Sequence, residues 1–219
     1  MGRPKQFIEL LGMPALHFTL QAFEESPEVA RIYAVGDRQR IESLAQKAGI
    51  SKYAECAEPG EARSFSTRNG LLLCEEDPET VVLVHDGSRC LVTPDLIKRV
   101  VSAAYGASEP DGVVPGVPVS DTIKVAREGT VAETLDRTNL WAVQTPQAFR
   151  LGLLRRLHES SEEFLHAATD DASLIERDGG RVEVVAGEKT NIKLTSPEDL
   201  VLAEAILAER EGAARGVRP

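Results

Sequence analysis

The chain has 219 residues, 42% hydrophobic and 27% charged, a profile that excludes disordered and fibrous classes and leaves ample length for a sizeable core. With 35 acidic and 25 basic residues the formal charge is −10, which argues against a non-specific nucleic-acid or anionic-membrane binder while leaving room for a local basic pocket. Pro14 suits a first helical turn, and Leu16, Leu20 and Phe23 follow at helical spacing. Residues 30–35 read as a strand stopped by Gly36-Asp37. Residues 38–48 read as a helix with Ile41, Leu44 and Ala45 on one face and Gly49 as its stop. A strand is expected over 53–57 and a helix over 62–76, with Gly70 as an unfavourable interior residue. Residues 80–84, β-branched and continuous, read as a buried strand ending at His85-Asp86. Thr93 then caps a helix over 94–104, with Pro94 at its first position.

Strands alternating with helices predict a mostly parallel α/β sheet covered on both faces. Residues 117–135 break the rhythm and read as an extended hairpin turning at Arg127-Glu128-Gly129, with too few apolar residues for a core of its own. Such an arm packs on a second subunit or stays a solvated edge hairpin; the residues alone leave both open. Helices over 150–159 and 171–177, a strand over 181–186 and a final helix over 197–209 complete the pattern. One domain over 1–210 with an arm at 117–138 and a flexible tail over 211–219 is the economical division.

Cys56, Cys74 and Cys90 are odd in number and lack a C-x-x-C pair, so a reducing cytoplasm is expected rather than a disulfide framework or zinc knuckle. No apolar run approaches the roughly 20 residues that span a bilayer. Glu9 interrupts the short apolar stretch behind Arg3 and Lys5, against a signal peptide, and Gln6 stands where a myristoylation signal needs Ser or Thr.

Ligands of open α/β sheets bind beyond the carboxyl ends of the strands. Asp86, directly after residues 80–84, is placed for a Mg²⁺ ligand in phosphate chemistry; a tight turn capped by Asp86 is the alternative. Gly60 turns into a helix whose first N–H groups are free for a base or phosphate, and Arg63 and Ser66 share its face. Lys5, Lys193 and Trp141 also admit ordinary readings, as surface lysines and a core anchor. Thr169-Asp170-Asp171 reads as a helix cap. His17, His158 and His166 lack metal-ligand spacing, and no G-x-S-x-G, Walker A or H-E-x-x-H motif is present.

Taken in order, Pro4-Lys5-Gln6-Phe7, the stretch from Gly60 to Gly70, Val84-His85-Asp86-Gly87-Ser88-Arg89, Val119-Ser120-Asp121-Thr122-Ile123-Lys124, Asp136-Arg137 with Leu140-Trp141 and Gln144-Thr145-Pro146-Gln147, Thr169-Asp170-Asp171-Ala172-Ser173, and Asn191-Ile192-Lys193 with Pro197-Glu198-Asp199-Leu200 resemble one family, the 2-C-methyl-D-erythritol 4-phosphate cytidylyltransferases of the non-mevalonate isoprenoid pathway. The resemblance runs from Met1 to about residue 208. It implies a Rossmann-like nucleotidyltransferase sheet with a protruding β-arm. It also implies transfer of CMP from CTP to methylerythritol phosphate with Mg²⁺ as cofactor. Lys5 and Lys193 would flank the reacting α-phosphorus and Asp86 would hold the metal. Gly60, Glu61 and Ser66 would read cytosine, and Gly87 would contact the ribose. Thr122 and Arg137, donated across a homodimer, would meet methylerythritol phosphate, with Thr145 beside them. The ionised phosphate nucleophile needs no general base.

Ribitol-5-phosphate cytidylyltransferases share many of these motifs, but Asp136-Arg137 with Leu140-Trp141 favours methylerythritol phosphate. A non-catalytic nucleotide-binding relative is the other rival. The chain departs from the family pattern at Pro59, at Gly87-Ser88-Arg89-Cys90 and at Thr190. The family also opens with a buried strand and a loop of the form Leu-Ala-Ala-Gly-x-Gly-x-Arg-Met. Met1 here resembles that loop's internal methionine, so the resemblance implies roughly 20 further residues upstream, forming strand and loop. Without them, weak CTP binding and poor turnover are expected.

Overall fold

The structure, a computed structural model, describes residues 4–214; residues 1–3 and the tail from residue 215 lie outside them. A 3-10 turn over Lys5–Phe7 leads into a small antiparallel ribbon of β1 (Glu9–Leu10) and β2 (Met13–Pro14). Next come α1 (Ala15–Glu25), β3 (Ile32–Val35), α2 (Arg38–Ala48), β4 (Tyr53–Ala57), α3 (Arg63–Leu71), β5 (Val81–Val84) and α4 (Pro94–Ala104). β6 (Gly112–Pro118) precedes the hairpin β7 (Lys124–Arg127) and β8 (Thr130–Thr134). The chain continues through β9 (Trp141–Val143), β10 (Gln147–Arg150), α5 (Leu151–His158), α6 (Glu162–His166), α7 (Asp171–Arg177), β11 (Val182–Ala186) and α8 (Pro197–Ala214).

The predicted elements of the first half form where their local signals are complete. Asp37 caps α2 by accepting from the Arg40 N–H, and Gly49 ends it at φ 68°, a left-handed position that favours glycine. Thr93 caps α4 by accepting from the Leu96 N–H. α3 stops at Leu71, five residues short of the expected end. α8 continues to Ala214 through alanine-rich sequence, five residues past its own, so the expected flexible tail begins within a helix.

The central sheet has the order β11-β6-β10-β5, with β9 alongside β6. β11 is parallel to β6, whereas β10 runs antiparallel to both β5 and β6 and is an inserted strand that periodicity did not reveal. Val117 and Pro118, expected in the hairpin, pair with Ala142 and Trp141 and belong to this sheet. α1 and α4 cover one face through Phe23, Leu96, Ile97 and Val100; α3, α5 and α7 cover the other through Phe65, Leu154, Leu174 and Ile175. β3 and β4 form a separate parallel pair. Among the described residues β5 therefore has a paired neighbour on one side only, and its four residues are half-buried rather than buried as expected. Among the described residues no helix is long and apolar enough to cross a membrane.

Candidate active site

The site lies just past the carboxyl end of β5. Asp86 Oδ1 accepts from Arg63 Nε at 3.0 Å, and Asp86 Oδ2 lies 2.8 Å from Lys193 Nζ and 3.8 Å from Arg89 Nε. Burial alone would raise the Asp86 pKa, but Arg63 and Lys193 outweigh it and hold the carboxyl at about 2. Two separate segments fix this arrangement. The Leu194 N–H donates to the Ser88 carbonyl at 2.9 Å, and Arg89 Nη1 donates to the Asn191 carbonyl at 2.9 Å, clamping the Asn191-Ile192-Lys193 run beside the Asp86 loop. Asn191, itself fully buried, donates to the Thr145 carbonyl.

His85 and Thr145 brace the loop from below. The His85 Nε2 partner is the Arg89 carbonyl at 3.1 Å, which only accepts, so Nε2 carries the proton. Burial lowers the His85 pKa to about 4, so the ring is neutral and its Nδ1 accepts from the Thr145 hydroxyl at 3.0 Å. That hydroxyl in turn accepts the Asp86 N–H at 3.1 Å. Thr145 is thus a buried support of the Asp86 loop. The Thr122 and Arg137 expected beside it are those donated across a homodimer; within the chain β9 separates Thr145 from Arg137, with Val143 paired to Gly116 at the Thr145 end and Trp141 to Pro118 at the Arg137 end.

Arg63 connects this loop to the opposite wall. Its Nη1 donates to Asp171 Oδ2 at 2.6 Å, and Asp171 Oδ1 accepts from His158 Nε2 at 3.0 Å, with Asp171 and His158 each 1% exposed. Burial works to raise the Asp171 pKa; His158 and Arg63 overcome it and lower it. Asp170, not Asp171, performs the capping read from the sequence, accepting from the Ser173 N–H, while its other oxygen takes Gln147 Nε2. The acidic pair therefore divides into a cap and a buried counter-ion. The signal that distinguishes them is the distant Arg63, which local pattern cannot reveal.

Lys5 lines the same cleft as Arg63, Ser66, Asp86 and Lys193, and its Nζ donates to the Thr195 carbonyl at 3.3 Å. Four cations, Lys5, Arg63, Arg89 and Lys193, thus stand around two carboxylates, an excess of positive charge suited to a polyphosphate. Gly60 and Ser66 are held together: the Gly60 N–H donates to Ser66 Oγ, which donates to the Ala62 carbonyl. A Cβ on Gly60 would stand 2.5 Å from Phe65 Cβ, so this close turn requires glycine. Glu61 points outward and pairs with His166 at 3.1 Å. Gly87 sits over Gln6 and Leu16. Thr122 and Arg137 are exposed on the arm side, where Arg137 donates to the Ser120 carbonyl, and no hydrogen bond or ion pair joins them to the Asp86 cluster. Trp141 is 43% exposed on β9, not a core anchor.

Residues 1–209 match the family model described as IspD: 2-C-methyl-D-erythritol 4-phosphate cytidylyltransferase. The chain belongs to this family. The 2-C-methyl-D-erythritol 4-phosphate cytidylyltransferase of Rubrobacter xylanophilus is 65% identical over 211 residues, 96% of this chain and 90% of the relative, and that of Geobacillus kaustophilus is 45% identical over 95% and 91%. A crystal structure of 4-diphosphocytidyl-2C-methyl-D-erythritol synthase superposes with a TM-score of 0.81 at 31% identity, covering 93% of this chain and 95% of the other. The Thermus thermophilus cytidylyltransferase gives 0.77 at 32% identity over 94% of each chain. Membership in the cytidylyltransferase family makes this an enzyme of the nucleotidyltransferase class with an α/β fold.

Proposed function

We propose that this protein transfers CMP from CTP to 2-C-methyl-D-erythritol 4-phosphate, releasing pyrophosphate. The observation that carries the reading is the Asp86–Arg63–Lys193 cluster at a strand's carboxyl end, in a chain of this family. A phosphate oxygen of methylerythritol phosphate attacks the α-phosphorus in line, and pyrophosphate departs with the electron pair of the broken P–O bond. Lys193 and Lys5 neutralise the charge that builds on the phosphoryl oxygens. Arg63 and Arg89 hold Asp86 in place while these lysines act. Gly60, Glu61 and Ser66 form the cytosine end and Gly87 the ribose contact.

Mg²⁺ fits this donor set. Asp86 offers one ionised carboxylate lining the cleft. An ion that keeps its waters and takes substrate phosphates suits one carboxylate, and when bound it supplies charge neutralisation on the triphosphate.

The arm carries the second half of the reading. Val131 is 53% exposed on the hairpin and Trp141 and Val143 lie open beside it, which supports a homodimer in which Thr122 and Arg137 reach the partner's cleft and bind methylerythritol phosphate. The three free, buried cysteines are consistent with a cytoplasmic enzyme. The deciding assay is pyrophosphate release from CTP with methylerythritol phosphate and with ribitol 5-phosphate offered separately. Release with methylerythritol phosphate alone is expected. Preference for ribitol 5-phosphate, or no release with either, would overturn the reading.

A further inference from the structure

The proposed chemistry leaves one buried histidine without a task. His158 ends α5 and is 1% exposed. Its Nε2 meets Asp171 Oδ1 at 3.0 Å; that oxygen only accepts, so Nε2 carries the proton. Nδ1 is buried as well, and among the described residues nothing pairs with it. A polar nitrogen left unmatched in the core costs free energy, so a histidine here is retained for its one bond, the bond to Asp171.

What that bond controls is the seating of Arg63. Arg63 gives Nε to Asp86 Oδ1 at 3.0 Å and Nη1 to Asp171 Oδ2 at 2.6 Å. These nitrogens lie on different edges of the guanidinium, so the side chain is stretched between two carboxylates with one N–H on each. An arginine facing a single carboxylate settles readily into a two-pronged fork that takes both oxygens. The stem leaves the first residue of α3, so both seatings are within reach without moving the backbone. The other cations around Asp86 are placed differently. Arg89 is tied to the Asn191 and Val143 carbonyls and comes only within 3.8 Å of Asp86. Lys193 is 43% exposed and can turn toward a phosphate. Arg63 therefore decides how much of Asp86 stays open. In the stretched seating it takes one of about four lone-pair directions of the carboxylate and Lys193 another.

We propose that His158 and Asp171 are positioning residues for the metal carboxylate: they hold Arg63 stretched away from Asp86 and so keep part of Asp86 open to a divalent cation. This rests on the reading of Asp86 as the Mg²⁺ carboxylate. The His158 N–H on Oδ1 fixes the Asp171 carboxylate with Oδ2 aimed at Arg63. With that second anion in place, the Arg63 charge is shared between two partners, and a cation arriving at Asp86 competes with one N–H instead of a fork. Without it, Arg63 turns its full charge and two donors to Asp86, the oxygen now facing Lys193 included. The buried pair thus acts on metal affinity from a place that touches neither metal nor substrate.

The test titrates Mn²⁺ alone into the full chain and its variants, with the free ion read by electron paramagnetic resonance. His158→Leu and Asp171→Asn are expected to raise the dissociation constant roughly tenfold or more, as for other groups that support a metal ligand. His158→Gln, whose amide can donate from the place of Nε2, should stay near the parent. In pyrophosphate release, His158→Leu should need correspondingly more Mg²⁺ for its half-maximal rate yet approach the parental kcat once Mg²⁺ saturates. Lower melting temperatures with Mn²⁺ affinity unchanged would make the pair a structural one and overturn the proposal. Equal loss of affinity in the Leu and Gln variants would overturn it too. If His158→Leu does not fold, His158→Asn, too short to reach Asp171, carries the comparison. Asp86→Asn separates the proposal from the reading beneath it. If that variant binds Mn²⁺ as the parent does, the metal assignment fails and takes the proposal with it. If it loses Mn²⁺ while the His158 and Asp171 variants bind normally, the proposal alone fails.

Discussion

Around Asp86 every charged side chain already has a partner within the chain, whereas along the arm both charge and apolar surface face solvent. Arg63 bridges Asp86 and Asp171, and the coupling raises its pKa further. Among the described residues Arg137 donates to the Ser120 carbonyl, and Val131 of the hairpin is half exposed. The first region is organised before any substrate arrives, so little rearrangement is needed when charge develops. The second is incomplete by itself. On the proposed function, the difference separates a region for chemistry from a region for recognition, and each can be broken separately.

The largest effect is expected at Asp86. Asp86→Asn removes the charge that gathers Arg63, Lys193 and Arg89, and turnover should fall roughly 10²-fold or more while the far-ultraviolet circular dichroism stays unchanged. Near-normal turnover in steady-state pyrophosphate release would remove Asp86 from the chemistry. Next is Asp171→Asn, which leaves Arg63 and His158 facing a neutral group in a buried site. Breaking a buried pair costs on the order of 3–5 kcal/mol, so the thermal midpoint should drop clearly. Turnover should fall with it, since Arg63 loses its anchor. A normal melting temperature would mean that the network does not hold the site together.

The arm should respond differently. Arg137→Ala touches no buried partner, so stability should stay within about 0.5 kcal/mol of the parent, as for ordinary surface positions. Its effect should appear in the KM for methylerythritol phosphate, raised roughly tenfold or more for a lost charge-assisted contact, with KM for CTP little changed. Val131→Asp should shift the sedimentation equilibrium toward monomer. A fully active monomer would collapse the distinction between the two regions.

What the sequence made legible follows the range of the interactions involved. α2 was readable to the residue because Asp37, Ile41, Leu44 and Gly49 carry cap, face and stop within one short window. Asp86 and Lys193 stood out through motif order, and the structure brings them to 2.8 Å. β10 was missed because Gln147-Ala148-Phe149-Arg150 has too little periodicity, and its strand character comes from being held between β5 and β6. Asp171 was read as a helix start because its partners, Arg63 and His158, lie 108 and 13 residues away. The role of Thr145 as a support of the Asp86 loop was not legible for the same reason: its partner His85 is 60 residues distant.

The smallest effect is expected where Lys193 is tethered from outside the cluster. Asp199 Oδ2 accepts from the N–H groups of Thr195 and Ser196 and from the Thr195 hydroxyl, and these bonds hold its pKa at about 2. This is the return leg of a capping box at the start of α8, a few residues after Lys193. A carboxyl whose folded pKa is depressed stabilises the fold above its unfolded value, near 3.8, and that contribution disappears as pH falls through about 2. Asp199→Ala should therefore cost about 1 kcal/mol at neutral pH. The gap between variant and parent should narrow between pH 4 and pH 2 in denaturant titrations. Because Asp199 is half-buried and accepts from the turn ahead of its helix, outside the Asp86 cluster, the variant should keep most of its turnover. A large loss of turnover with unchanged stability would show that the Thr195 turn, whose carbonyl also receives Lys5, positions both lysines, and the boundary of the preorganised region would then move out to the first turn of α8.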